Sequence, residues 1–199
     1  MSEKSIVITH IEVQQENRNR QSVLFRWILV APVVVLLMLL DQMVHYGMTT
    51  VVITVPVILT LLARGVYPSW LLTYNHAIME FSTRVAAYVF LLTDEYPSLE
   101  RNDKVAVIFP DVEGGKKLSR GLPVVKWIFA LPLMIVGCIY LALSIIATIF
   151  AWIITSATGK YPTAAISIVY GTIIYWNRVM GYCVALVSDD YPPFTLTLN

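Results

Sequence analysis

"RVAAYVFLLTDEYP", Arg84 to Pro97, returns in the second half of the chain as "RVMGYCVALVSDDYP", Arg178 to Pro192. Each stretch has an Arg-Val pair, a Tyr one helical turn later, an apolar run and two acids closed by Tyr-Pro. The echo extends backwards: "RGVYP" (Arg64 to Pro68) answers "TGKYP" (Thr158 to Pro162), and "RWILVAP" (Arg26 to Pro32) answers "KWIFALP" (Lys126 to Pro132). Ahead of each lies a short alternating stretch, Ser5–Val13 in the first half and Lys104–Phe109 in the second. Landmarks kept in this order read as two tandem copies of one unit, residues 1–99 and 100–199. Each copy holds a short strand, a basic-aromatic start, a long apolar segment, a Tyr-Pro break and a second helix. Duplication inside a membrane protein usually builds a pseudo-symmetric bundle.

The setting follows from composition. The chain is 57% hydrophobic and 14% charged, with a mean hydropathy of +0.69. Soluble domains run at about 45–50% apolar and about 25% charged. The apolar residues are also concentrated. Trp27–Ala63 contains one ionised side chain, Asp41, and Trp127–Gly159 contains none. Runs of this length signal membrane embedding. The polar Met1–Arg26 region mixes acids with bases, unlike a cleavable signal peptide, so the first apolar segment is expected to remain as an anchor. A net charge of +1 gives no basic field for nucleic acid. Cys138 and Cys183 sit in apolar stretches without a C-x-x-C pair, and read as reduced core residues.

The 14 Lys and Arg all lie outside the two apolar segments. Lys4, Arg18, Arg20 and Arg26 precede the first, and Arg101, Lys104, Lys116, Lys117, Arg120 and Lys126 fill the central linker. The positive-inside rule places the N-terminus and the linker in the cytoplasm, and the repeat places the C-terminus there too. The expected fold is an all-α integral membrane protein, a tandem two-fold repeat with about four membrane segments. Amphipathic interfacial helices and short cytoplasmic β-strands complete it. Two arrangements satisfy the sidedness. Either each apolar segment is a hairpin followed by an interfacial helix, or each crosses once and the next helix crosses back. Trp27–Ala63, with "DQMVHYG" (Asp41–Gly47) at its centre, suits a hairpin. Trp127–Ser156 has no turn signal except Gly137, and suits one tilted helix beginning near Pro132 or a shallow wedge that never fully crosses. The hairpin arrangement is favoured.

Between Ser69 and Leu92 polar residues recur at Thr73, His76, Glu80 and Arg84, the spacing of an amphipathic helix. Glu80 and Arg84 stand one turn apart and can pair. The second copy keeps Arg178 but has Ile174 in place of Glu80, and its stripe is mostly small residues suited to close helix packing. Ser5–Val13, Lys104–Phe109 and Phe194–Leu198 are expected to form a small sheet beneath the membrane. Lys116, Lys117 and Arg120, on the loop before the second apolar segment, are candidate contacts for anionic lipid headgroups.

Candidate functional polar residues are few: Asp41 and His45, one turn apart; the His76, Glu80, Arg84 stripe; and Arg178. The acids Asp94, Glu95, Asp189 and Asp190 read as a solvated helix stop, with docking of a basic partner as the alternative. No metalloprotease, hydrolase-elbow or phosphate-loop motif is present, so no catalytic, cofactor or metal site is expected. The second copy resembles a bacterial family of small membrane proteins known only as a domain of unknown function. The residues that carry this are Thr158 to Pro162, Arg178, Val179, Tyr182, and Tyr191 to Phe194. The first copy, whose "DEYPSL" lacks the second Pro and the Phe, fits less well. The resemblance implies a bacterial inner-membrane location and supplies no activity. The expected role is a non-enzymatic accessory or scaffold subunit, in contact with the lipid bilayer and with other membrane subunits or itself. A small transporter or channel-like component and a membrane-shaping hairpin protein are the alternatives.

Overall fold

The computed structural model describes residues 5–37, 48–100 and 103–196, with side chains described for all of these except 48–53. Strand β1 (Ile8–Ile11) opens the fold. Helices α1 (Arg20–Leu24) and α2 (Arg26–Leu29) follow with only a turn at Phe25 between them. Asn19 caps the first, its side-chain oxygen accepting from the Ser22 N–H at 3.2 Å. That bond satisfies one of the amides that a helix start leaves without an intrahelical partner. Helix continues through residues 31–37 and resumes in α3 (Met48–Arg64). Gly65, at φ 64°, lets the chain leave α3 through a left-handed turn that a Cβ would oppose. Tyr67-Pro68 then sets up α4 (Ser69–Val89). Strand β2 (Val105–Ile108) pairs antiparallel with β1, with Ile8 opposite Ile108 and Ile11 opposite Val105. Helix α5 (Leu122–Thr158) ends at Gly159 in the left-handed conformation, and α6 (Thr163–Cys183) starts after Tyr161-Pro162.

Two expectations about these elements need correction. The second apolar segment is neither a hairpin nor a helix beginning near Pro132. It is one unbroken helix of 37 residues, about 55 Å long at 1.5 Å per residue. Gly137, the one turn signal, is instead a contact point, where a Cβ would stand 2.9 Å from the Trp176 ring. Phe194–Leu196 adds no third strand. Leu196 packs on Gly171 of α6 instead, and residues 197–199 lie outside the described chain. Among the described residues, α5 alone is long and apolar enough to cross a membrane. The centre of the first apolar segment lies outside them.

The helix that was expected to lie at an interface, α4, exposes Trp70, Thr73 and Tyr74 near its start, but it buries Glu80, Phe81, Thr83, Arg84 and Tyr88. Of its polar stripe, Thr73 is exposed, His76 and Glu80 face the β2 strand and loop across a groove, and Arg84 is buried. Two apolar clusters hold the layers together, and each draws on both halves of the chain. One joins Val57, Leu61, Tyr67 and Leu71 to Leu118, Leu186 and Val187. The other joins Val23, Ala87, Leu91 and Leu92 to Ala151, Tyr161 and Val169. Each long apolar helix therefore packs its C-terminal end against the other half's acidic stop.

Candidate functional site

Helix α5 has its polarity inside out. Its buried stripe is mostly small or hydroxylated: Ala130, Gly137, Ser144, Thr148, Ala151 and Thr155. The remaining face is large and apolar, and Ile128 and Ile135 are both 66% exposed. Small residues let α6 approach closely. Across the seam the Ser144 hydroxyl donates to Thr172 Oγ1 at 2.7 Å, and the Tyr175 hydroxyl donates to the Leu133 carbonyl at 2.8 Å. Trp27 and Ile28 of α2 are exposed as well. An apolar surface as long as that of α5 needs a partner.

At each end of the seam, the basic residue that opens a long apolar segment is buried against an acidic stop. Arg26 is 1% exposed. Its Nη1 donates to the Tyr88 and Thr93 carbonyls at 2.8 and 2.7 Å, its Nη2 to the Asp94 carboxylate, and its guanidinium lies 4.3 Å from the Tyr88 ring centre. Arg18 adds a second cation, 2.8 Å from Asp94, while the Asn19 N–H donates to the other carboxylate oxygen at 3.0 Å. Burial pulls the Arg18 pKa down to about 10, and Asp94 opposes that shift. In the second arrangement Lys126, 0% exposed, donates to the Ser188 carbonyl at 2.8 Å. It lies 2.7 Å from Asp189 and 5.1 Å from the Tyr182 ring centre. The Ser119 N–H donates to Asp189. The two arrangements share the aspartate, the carbonyl before it, the tyrosine ring and an N–H donor, while the Arg26–Tyr88 carbonyl bond has no counterpart and Leu118 stands where Arg18 would be.

Crossed latches join them. The Tyr67 hydroxyl donates to the Ala185 carbonyl at 2.5 Å and the Tyr161 hydroxyl to the Phe90 carbonyl at 3.1 Å. Each acceptor precedes a leucine at positive φ, Leu186 at 55° and Leu91 at 63°. Arg120 packs on Gly65, and Arg20 packs on Gly159. Burial pushes Tyr67 and Tyr161 up to about 12 from 10.0. The folded state therefore holds these protons more tightly than the unfolded chain does. The resulting stability is fully present below pH 10 and is lost as pH rises through 12. Alkaline unfolding is accordingly expected to steepen in that window. Replacing both tyrosines by Phe reduces the steepening, leaving the part due to buried groups such as Tyr175 and Cys183, and a denaturant midpoint measured against pH checks it.

The sequence-predicted candidates are dispersed. Asp41 and His45 lie outside the described residues. His76 Nε2 is 2.6 Å from the Val107 carbonyl, with the ring edge-on to Phe109. Glu80 and Arg84 pair at 3.7 Å, as their spacing predicts. His76 and Glu80, with Asp103 and Asp111, help line an open groove of about 640 Å³ between α4 and the β2 strand and loop. Arg178 is buried. Lys116, Lys117 and Arg120 are exposed on the loop before α5, and Lys117 is 2.9 Å from Glu113. The residues that sequence reasoning passed over are Arg26, Lys126, Asp94 and Asp189. Asp94 and Asp189 are no solvated stop, because a buried cation faces each of them, whereas Glu95 pairs with Lys104 at a half-exposed site. The signal was present in the paired "RW" and "KW" starts and "TD" and "SD" stops.

Among the described residues, these features define a mostly helical chain with a two-stranded sheet and one helix long and apolar enough to span a membrane. Residues 123–195, from the start of α5 to just past the second Tyr-Pro, match the family described as Domain of unknown function (DUF4389). No curated protein and no solved structure matches the chain.

Proposed function

We propose that the chain is a non-enzymatic integral protein of the bacterial inner membrane, built as a tandem duplication and serving as an accessory or scaffold subunit of a membrane assembly. The observation that carries this is the exposed face of α5, large and apolar along its length while the buried stripe is small and hydroxylated. In water such a face would be covered, and in a bilayer it meets lipid. The duplication is supported by the matched cation–aspartate pairs and crossed tyrosine latches. That cross-bracing gives a stiff body suited to holding other subunits. Lys116, Lys117 and Arg120 sit where anionic headgroups would be met. The N-terminus, the linker and the C-terminus share the cytoplasmic side in this proposal.

Extraction and cross-linking test the proposal together. The protein is expected to stay in the membrane pellet at alkaline carbonate pH, and to cross-link in membranes to one stoichiometric partner or to a second copy. Release into the supernatant counts against the membrane assignment. Retention with no cross-linked species counts against the scaffold. A membrane-shaping role is a second reading, favoured by the concentration of exposed apolar residues on α2 and α5.

A further inference from the structure

We infer that α5 lies along the membrane plane, with its apolar face in the acyl region of a single leaflet and the two-stranded sheet in water on the same side. The inference rests on the membrane assignment above and goes beyond it by fixing the lipid surface that the protein occupies. Length alone points the other way, since about 20 residues cross a bilayer and α5 has 37.

The sheet decides between the two. It packs across the middle of the helical layer. The Tyr170 hydroxyl donates to the Thr9 carbonyl and accepts from the Ile11 N–H, and the Asn177 amide donates to Thr9 Oγ1 at 2.9 Å. Between those two α6 positions, Thr172 meets Ser144 and Tyr175 meets Leu133, near the middle of α5. A line through the molecule at that level therefore runs from the apolar face of α5, through α6, to the sheet. The sheet's outer face is exposed and mixed: His10 and Glu12 are exposed beside the cross-strand pair Ile8–Ile108, and Lys104 pairs with Glu95 at a half-exposed site. Were α5 to span, these charges and a two-stranded sheet would sit at the depth of the bilayer centre. Charges are costly there. Laying α5 flat places every one of these groups in water. Both ends of α5 then meet the headgroups together, which fits the cations found at each: Arg120 before its start, and Lys160 with Arg20 at its end.

The test uses the full chain with Cys138→Ser and Cys183→Ala, reconstituted in vesicles of phosphatidylethanolamine and phosphatidylglycerol. Single spin labels are placed at Ile128, Ile139 and Ile153, all on the exposed face, and at Glu12. Depth is read from the balance of oxygen and nickel-chelate accessibility. The inference expects the three isoleucine positions at one shallow depth, within about one helical pitch of 5 Å, and Glu12 in water. A profile with position 139 at the bilayer centre and 128 and 153 near opposite interfaces overturns the inference and leaves the membrane assignment standing. Nickel accessibility at all three positions, together with release by carbonate, overturns both.

Discussion

Asp94→Ala is expected to destabilise the protein by about 3–5 kcal/mol, the usual cost of removing one partner from a buried ion pair. The effect is large because one carboxylate serves two cations. Arg18 and Arg26 both reach Asp94, and their side chains are 0% and 1% exposed. Without Asp94 both guanidiniums stay buried beside each other with only carbonyl and ring partners. Asp189→Ala is expected to cost less, since it leaves a single cation, Lys126, and the carboxylate is 21% exposed. Exchanging the second pair for apolar residues, Lys126→Met with Asp189→Leu, should recover most of that loss, because the pair's desolvation cost goes with it. Detergent-titrated unfolding in bicelles measures all of these. An Asp94→Ala loss within about 0.5 kcal/mol, the range of an ordinary surface change, would remove the pair from the account of stability.

Gly137→Leu is the second large effect. A Cβ at this position meets Trp176 Cζ2 at 2.9 Å and Tyr175 Cε1 at 3.1 Å, and three further carbons have no space without separating α5 from α6. Overpacking of this kind costs about 1–3 kcal/mol. Separation would also strain the Ser144–Thr172 and Tyr175–Leu133 bonds on either side. The same unfolding assay measures the loss. A shift in tryptophan emission should accompany it as Trp176 leaves its packed position. Wild-type stability together with wild-type emission would mean that the seam is looser than these distances imply.

Much of the local fold was legible. Alternating hydrophobicity marks Ser5–Val13 and Lys104–Phe109, and these hold the two strands of the sheet. Tyr-Pro pairs mark the starts of α4 and α6, because Pro cannot continue a preceding helix. The Glu80–Arg84 pair follows from one-turn spacing. What the sequence could not convey was which surface each polar group faces. The His76, Glu80, Arg84 stripe has the period of an interfacial helix, yet β2 and its loop face it, an approach made by residues distant in the chain. Gly137 is ambiguous in the same way: glycine marks turns, and it also marks close helix contacts, and only the position of Trp176 separates the two. Asp94 and Asp189 look like water-facing stops until the chain folds Arg26 and Lys126 onto them. Repetition of those residues in both halves was the one available hint that they work as pairs.

The orientation of α5 is the point on which the rest turns, and the sidedness of its two ends tests it most directly. With Cys138 and Cys183 replaced, single cysteines at Lys116 and Lys160 are treated with an impermeant maleimide in sealed right-side-out and inside-out vesicles. A helix lying along one leaflet predicts that both positions react in the same preparation and both are shielded in the other. Reaction of position 116 in one and position 160 in the other would show that α5 crosses the bilayer and would contradict the account.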